Sequence, residues 1–288
     1  MKQIQWFPGH MAKARRQIEE KLPVIDIIYE LVDARIPLAS SNPMLKEIIR
    51  NKPRLILLNK VDLADPQVTK AWLDYYDSLG VAAVETNSLT EKLPEKIYHI
   101  SKEILKKELV KEKAKGLKSK PLNAMVIGIP NVGKSQFINN LAGKNKVVTG
   151  NKPGVTKMQS FLNAGENLRV YDNPGVLWPK FDDETGLKLA LLGSIKDSLL
   201  PLDDVVLFGV DYLKRYYPKN LEKRYDLNLE ELETRIDILD AIGKKRGCLI
   251  SGGEIDYDRV FSLFLNDLRN GSLGRMSFER VEDENVQL

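Results

Sequence analysis

The fold is decided by the stretch Gly128-Ile129-Pro130-Asn131-Val132-Gly133-Lys134-Ser135. It matches the pattern G-x-x-x-x-G-K-[ST] at every fixed position. An apolar run, residues 124–127, precedes it and a helical pattern follows it, so the context is strand, loop and helix. In such a loop, backbone N–H groups, the helix N-terminus and Lys134 face phosphate oxygens, and Ser135 offers its hydroxyl to Mg²⁺. The stretch therefore predicts a site for a nucleoside triphosphate.

The composition is that of an ordinary soluble globular protein. The chain has 288 residues, of which 43% are hydrophobic and 29% charged. Its single cysteine, Cys248, excludes a disulfide framework and a cysteine-rich zinc site. No apolar run approaches the length of a membrane span, and the first residues lack the apolar core of a signal peptide. We therefore expect a cytoplasmic protein without a membrane segment.

Charge is unevenly distributed. The first 200 residues hold 31 basic and 22 acidic residues, whereas the remaining residues hold 13 and 18. A nucleic-acid surface would therefore have to come from the first two-thirds or from local clusters. Residues 102–120 hold eight lysines and three glutamates, a pattern that fits either a solvated helix with a linker or an RNA contact.

An α/β architecture follows from the strand pattern. Further buried strands are predicted at residues 24–32, 54–58 and 81–84, and a two-strand pattern at residues 159–164 and 167–171. Ligands of open parallel sheets bind beyond the carboxyl ends of the strands. The first three strands end in polar residues, namely Asp33-Ala34-Arg35, Asn59-Lys60-Val61-Asp62 and Thr86-Asn87-Ser88.

The pattern becomes helical after Trp178. One helix is predicted over residues 184–200, and apolar residues then recur at helical spacing through residues 229–242 and 257–268. We predict two domains: one over residues 1–180 that contains the phosphate loop, and an all-α domain over residues 181–288. The fold class is thus a phosphate-loop domain with a mostly parallel sheet and flanking helices, plus a helical C-terminal domain.

The identity of the nucleotide base is predicted from Asn59-Lys60-Val61-Asp62. A carboxylate at position 62 can accept hydrogen bonds from N1–H and the 2-amino group of guanine, and adenine offers no matching pair of donors. Such a site rejects the wrong base because its polar groups would be left unpaired. N-K-x-D alone is a weak signal, but beside a phosphate loop it indicates GTP.

The γ-phosphate end is predicted from Asp172-Asn173-Pro174-Gly175, a D-x-x-G sequence after a strand. Asp172 can hold a Mg²⁺-bound water, and the N–H of Gly175 can meet the γ-phosphate. Thr156, in the polar loop before this motif, is the candidate loop ligand of Mg²⁺. Hydrolysis would remove the γ-phosphate and release that loop.

The motif order is permuted. In ordinary small GTPases the phosphate loop comes first, whereas here N-K-x-D precedes it. The same sheet can be built if the chain is cut between two neighbouring strands and the old ends are joined by residues 91–121. The segment after Asp172 then leads directly into the helical domain, so we expect GTP hydrolysis to change the orientation of that domain.

Together these motifs resemble the circularly permuted GTPases of the YlqF family, bacterial ribosome biogenesis GTPase A. The resemblance covers essentially the whole chain, including the opening Trp6-Phe7-Pro8-Gly9-His10-Met11 and the loop Gly154-Val155-Thr156. It implies a GTPase that acts late in assembly of the large ribosomal subunit. It also implies binding to ribosomal RNA and release after hydrolysis, with GTP, GDP and the subunit as partners. In this family, residues 1–180 would be the GTP-binding domain and residues 181–288 the domain that interacts with RNA or the ribosome. We expect the protein to be a monomer.

The resemblance extends to individual residues. It implies that Lys60 packs along the base, that Ser88 lies near the guanine carbonyl, and that Asn131 helps to bind K⁺ beside the phosphates. The alternative for Asn131 is simple hydrogen bonding within the loop. The expected nucleotide-binding residues are Asn59, Lys60, Asp62, Asn87, Ser88, Asn131, Val132, Gly133, Lys134, Ser135, Gln136 and Gly175. The expected Mg²⁺ ligands are Ser135, Thr156 and Asp172. Two departures are Asn87-Ser88, where Ser-Ala is common, and Asn173, where Thr is common.

The water-positioning residue is missing. Ras-type proteins place a glutamine after D-x-x-G, but this chain has Val176 and Leu177 there. We therefore expect slow intrinsic hydrolysis and completion of the site by a partner. Lys134, Thr156 and His10 are the catalytic candidates, and His10 could instead be structural or contact RNA. The alternative function is an RNA-binding scaffold with a nearly inert guanine-nucleotide pocket.

Overall fold

The computed structural model describes residues 8–49, 52–116, 120–143, 161–178 and 180–283, without the side chains of residues 8–14. The strands in these ranges are β1 Ile27–Asp33, β2 Arg54–Asn59, β3 Ala83–Thr86, β4 Leu122–Ile127, β5 Phe161–Asn163 and β6 Leu168–Asp172. They form one sheet in the order β3-β2-β1-β4-β6-β5. All neighbours pair in parallel except β5 and β6. The mostly parallel sheet confirms the predicted fold class.

Strand β1 lies near the centre of this sheet. All seven of its residues are buried, as expected for a parallel strand covered on both faces. In the pairing register, Asp33 lies opposite Asn59, and Asn59 lies opposite Thr86. The carboxyl ends of β1, β2 and β3 are therefore level, and the polar residues that follow them meet at one edge.

Helices flank the sheet and continue beyond it. Around the strands lie α1 Pro8–Lys21, α2 Pro43–Ile49, α3 Pro66–Ser78, α4 Pro94–Ile104, α5 Lys106–Ala114 and α6 Lys134–Ala142. The C-terminal region contains α7 Asp183–Leu191, α8 Leu202–Tyr216, α9 Pro218–Tyr225, α10 Arg235–Arg246 and α11 Tyr257–Arg269. Helices α4 and α5 join β3 to β4, which is the connection that the permuted order requires. The helical C-terminal region confirms the second part of the fold class.

Several predicted boundaries were wrong. The first strand begins at Ile27, because Leu22–Val24 is a 3₁₀ turn whose Pro23 cannot donate to a sheet ladder. The third strand starts at Ala83 rather than at residue 81. The helix predicted over residues 184–200 ends at Leu191, close to Gly193, which has the positive φ of 75° typical of helix ends. The first two residues of the strand predicted over residues 159–164 lie outside the described residues.

The sheet and the C-terminal helices share one continuous hydrophobic cluster. It includes Leu31 and Phe137 of the sheet part, Val206 and Phe264 of the helical part, and Phe278 after the last helix. The domain boundary at residue 180 remains a prediction. Within the described residues, no helix has both the length and the apolar character needed to cross a membrane.

The first prediction concerns the joining helices. Ile97 of α4 is fully buried, whereas Val110 of α5 is 63% exposed. We expect Ile97→Ala to lower the free energy of unfolding by about 2–5 kcal/mol, because it leaves a cavity in the core. Val110→Ala should change it by no more than about 0.5 kcal/mol. Urea denaturation measures both, and equally small effects would contradict the packing described for α4.

Candidate functional site

The side chain of Asn59, the last residue of β2, joins two loops. Its Nδ2 donates to the carbonyl oxygen of Val132 in the phosphate loop at 2.8 Å. Its Oδ1 accepts from the hydroxyl of Ser88 at 2.8 Å and from that of Thr86 at 3.3 Å. The N–H of Ala34 donates to its backbone oxygen at 2.8 Å. Asn59 thereby fixes the phosphate loop relative to the segments after β1 and β3.

The phosphate loop ends at Gly133, where α6 begins. Gly133 has a φ of 96°, and a Cβ placed there would lie only 2.5 Å from Nδ2 of Asn59. Lys134 is buried, and its Nζ donates to the carbonyl oxygen of Ile129 at 2.8 Å. Ser135 and Gln136 follow in the first turn of α6, where helix N–H groups are available to an anion. The local geometry is therefore that of a phosphate cradle.

Asp172 is buried at the carboxyl end of β6. Neither of its carboxylate oxygens has a side-chain hydrogen-bond partner within the described residues, and Oδ1 of Asn173 beside it also has none. Burial raises the pKa of Asp172 above its ordinary value, although Lys134 acts in the opposite direction. Burial also lowers the pKa of Lys134. Buried carboxylate oxygens that no other side chain holds are suitable acceptors for the water shell of Mg²⁺, so Asp172 fits the ion.

Gly175 packs directly on the phosphate loop. A Cβ at this position would lie 2.8 Å from Nζ of Lys134 and 2.8 Å from the backbone nitrogen of Pro130. The next residue is also fixed, because the N–H of Val176 donates to the carbonyl oxygen of Gly128 at 3.3 Å. The structure therefore places the D-x-x-G segment against the loop predicted to bind the phosphates.

Asn59-Lys60-Val61-Asp62, here called the guanine motif, contributes Lys60 to an ion group with the buried Asp33 and Arg35. Arg35 donates from Nε and Nη2 to the two carboxylate oxygens of Asp33, both at 2.9 Å. Nζ of Lys60 lies 3.0 Å from Oδ2 of Asp33 and 2.6 Å from the carbonyl oxygen of Asn131. Burial alone would raise the pKa of Asp33, but Arg35 and Lys60 hold it well below its ordinary value. Burial lowers the pKa of Lys60, opposed by Asp33.

The loop after β3 is held by its own side chains and by α6. Oδ1 of Asn87 accepts from the N–H of Leu89 at 3.0 Å, and the buried Ser88 directs its hydroxyl to Asn59. Nδ2 of Asn140 donates to the carbonyl oxygens of Ser88 at 3.0 Å and Glu91 at 2.8 Å. A cavity of about 790 Å³ opens between this loop and α6, and Gln136 lines it. The roles predicted for Asn87 and Ser88 stay predictions.

Four predicted residues need separate mention. Thr156 lies outside the residues that the structure describes. His10 belongs to helix α1, but its side chain is not among those described. Asp62 is exposed in the loop after β2, a position open to a base. The predicted K⁺ ligand Asn131 donates from Nδ2 to the carbonyl oxygen of Gly193 at 2.6 Å, so its amide also links the phosphate loop to the segment after α7.

Sequence reasoning missed Asn42. Its Nδ2 donates to the carbonyl oxygen of Val176 at 2.8 Å, and its Oδ1 accepts from the N–H of Met44 at 3.0 Å. The segment after Gly175 is thus tied to the start of α2. Asn42 and Val176 are 134 positions apart and belong to no shared motif, so no sequence signal connects them.

Comparison with known proteins agrees with this geometry. A family model described as a 50S ribosome-binding GTPase matches residues 123–244. Ribosome biogenesis GTPase A of Bacillus licheniformis is 52% identical, with 97% of this chain and 99% of the relative covered. The chain belongs to the ribosome biogenesis GTPase A family. Membership of this family makes the protein a GTPase, which hydrolyses GTP to GDP and phosphate, and Mg²⁺ is the metal that GTPases generally use.

Solved structures of the family share the fold. A GDP-bound structure of TM YlqF is 26% identical, with a TM-score of 0.67 and coverage of 93% of this chain and 100% of the other. A GNP-bound YlqF from T. maritima is also 26% identical, with a TM-score of 0.64 and coverage of 93% and 98%. The predicted resemblance to permuted YlqF-type GTPases is therefore confirmed.

The second prediction uses two glycines with positive φ. Gly133→Ala would drive a methyl group into Asn59, so we expect GDP to bind at least about tenfold more weakly. The loss corresponds to about 1.4 kcal/mol or more. Gly165 has a φ of 77°, but a methyl group added there would have no neighbour within 4 Å. Gly165→Ala should therefore strain the backbone without changing GDP affinity. Calorimetric titration measures both constants, and matching values for the two variants would contradict the role of the Asn59 contact.

Proposed function

We propose that this GTPase is a switch in late assembly of the large (50S) ribosomal subunit. It binds ribosomal RNA of the pre-subunit in the GTP state and leaves after hydrolysis. The observation that best supports this proposal is the position of the D-x-x-G segment, residues 172–175. This segment packs on the phosphate loop, and the chain then continues into the C-terminal helices. A rearrangement of this segment on loss of the γ-phosphate would reach those helices directly. The family name and the description of the matching model support the ribosomal partner.

The predicted residue roles are carried into this proposal. Lys134 and the N–H groups of the phosphate loop neutralise charge on the phosphates, and Asp62 reads guanine. Ser135, Thr156 and Asp172 hold Mg²⁺, which supplies positive charge at the β- and γ-phosphates. The protein works in the cytoplasm as a monomer, with GTP and GDP as its small-molecule ligands.

RNA binding has support in the exposed basic residues. Helix α5, in the basic stretch, has no buried residue, so its lysines are available to phosphate groups. Lys219 and Lys223 of α9 and Lys244 of α10 are also exposed. Two residues next to α9, the basic Lys214 and the aromatic Tyr217, are less available to RNA, because Lys214 donates to two backbone carbonyls of the loop before α10 and Tyr217 is buried. These two residues serve the fold, and α5 and α9 are the better RNA candidates.

The alternative of an inert scaffold rests on the absence of a glutamine after Gly175. Val176 and Leu177 are indeed buried and cannot orient water. Membership of a GTPase family favours an active GTP hydrolase over an inert scaffold. We therefore propose that the ribosomal subunit completes the site by bringing His10 toward the γ-phosphate.

The third prediction is that purified large ribosomal subunits stimulate GTP turnover. We expect a rise of at least about tenfold, because a supplied catalytic group can contribute about 10³–10⁵-fold in GTPases. Multiple-turnover phosphate release, with and without subunits, measures it. Flat turnover with GTP binding retained would contradict the switch and favour the scaffold.

Two histidine variants refine this experiment. His10→Ala should abolish the stimulation while leaving the rate without subunits unchanged. His99→Ala is the matched control, because His99 is exposed on α4 and belongs to none of the predicted nucleotide-binding motifs. Full stimulation of His10→Ala would exclude the catalytic role of His10.

The fourth prediction concerns K⁺. We expect turnover to be higher in KCl than in NaCl, because an oxygen of Asn131 contributes to the ion site. Asn131→Asp keeps that oxygen and loses the donor to Gly193, whereas Asn131→Ala loses both. The preference for K⁺ should survive in the first variant and vanish in the second. Equal turnover of the parent protein in both salts would rule out the ion site.

A further inference from the structure

The chain returns to the guanine motif after its last helix. Residues 271–283 leave α11 and run back along the loop of residues 61–65, which contains Asp62. We call residues 275–279 the return segment. Its contacts are made more than 200 positions from the motif in sequence, and no motif predicted them.

Arg275 holds the backbone on both sides of Asp62. Its Nη2 donates to the carbonyl oxygen of Val61 at 2.7 Å, and its Nε donates to that of Ala64 at 2.8 Å. The planar guanidinium group makes two bonds in a fixed relative direction. The carbonyl before Asp62 and the one two residues after it are therefore held at a set spacing.

Other groups of the return segment fix the rest of the loop. The N–H of Met276 donates to the carbonyl oxygen of Leu63 at 2.9 Å. The N–H of Asp65 donates to the hydroxyl of Ser277 at 3.2 Å. Three carbonyl oxygens and one N–H of the loop that contains Asp62 thus have partners in the return segment.

The return segment is itself firmly anchored. The N–H of Phe278 donates to the carbonyl oxygen of Arg35 at 2.7 Å. The buried carboxylate of Glu279 accepts from the N–H groups of Leu38 at 2.7 Å and Ala39 at 3.0 Å. Arg275, by contrast, is exposed, so its substitution leaves the buried anchor intact.

We propose that Arg275 is a positioning residue for guanine recognition. By holding the carbonyls of Val61 and Ala64, it keeps the Asp62 carboxylate in the orientation that accepts hydrogen bonds from the base. Such preorganisation lowers the ordering cost of binding. The inference rests on the proposed role of Asp62, and it predicts an effect on nucleotide affinity rather than on the hydrolysis step.

The fifth prediction is that Arg275→Ala weakens GDP binding about tenfold in calorimetric titration. IDP, which lacks the 2-amino group, should lose less affinity, because it makes one fewer contact with Asp62. The GDP affinity of Arg275→Lys should fall between those of the parent protein and Arg275→Ala, since an ammonium group can reach one carbonyl but does not form the planar fork. The single-turnover rate of hydrolysis at saturating GTP should be unchanged. Arg235→Ala is the matched control, because Arg235 pairs with Asp211 in the C-terminal helices.

A double-mutant cycle separates this inference from the proposed site. If Arg275 acts through Asp62, Arg275→Ala should have no further effect on GDP affinity in an Asp62→Ala background. Full GDP affinity in Asp62→Ala alone would overturn the assignment of the guanine site. Loss of affinity in Asp62→Ala with parental affinity in Arg275→Ala would overturn only the role of Arg275. An equal loss from Arg275→Ala in both backgrounds, or a slower single-turnover rate, would also overturn it.

Discussion

The nucleotide site depends on the hydrogen bonds of one buried amide, that of Asn59. Its nitrogen holds the phosphate loop through Val132, and its oxygen holds the loop after β3 through Ser88. Aspartate could not replace it, because a carboxylate has no donor for the Val132 carbonyl. An unsatisfied buried polar group costs about 1–3 kcal/mol, so both loops favour the single arrangement in which the amide is satisfied. The requirement for glycine at position 133 follows from the same close approach.

The permuted chain order leaves this arrangement intact because strand neighbours, not connections, define the edge of a sheet. Strand β1 pairs with β2 on one side and β4 on the other, so the guanine motif and the phosphate loop meet at that edge. What permutation changes is the element that follows the D-x-x-G segment. Here the C-terminal helices follow, and the chain then returns to place Glu279 on the N–H groups of Leu38 and Ala39. The helical region therefore contacts the nucleotide-binding part from two directions.

Local patterns predicted the fold class and the motif positions, but not the contacts between distant segments. The phosphate loop and N-K-x-D carry their meaning within a few residues, and buried parallel strands are visible as apolar runs. Strand and helix ends depended on single residues such as Pro23 and Gly193, whose effects compete with the apolar pattern. The hydrogen bond from Asn42 to Val176 and those from Arg275 to the loop of residues 61–65 join segments far apart in sequence. Asparagine and arginine at such positions carry no local signature, so only the folded arrangement reveals them.

The buried ion group gives a physical reason for the orientation of Lys60. Burying Asp33 and Arg35 costs solvation energy, and an apolar cluster could serve stability equally well. The group instead fixes direction: the ammonium of Lys60 lies between Asp33 and the carbonyl of Asn131 on the phosphate loop. With its charged end held there, Lys60 spans the space between the guanine motif and the phosphate loop. Its methylene groups are then the part that can lie against a base, which is the role that the family resemblance implies for this lysine. Removing Asp33 alone would leave the buried Arg35 and the partly buried Lys60 without their shared carboxylate, so the orientation of Lys60 depends on a residue outside every nucleotide-binding motif.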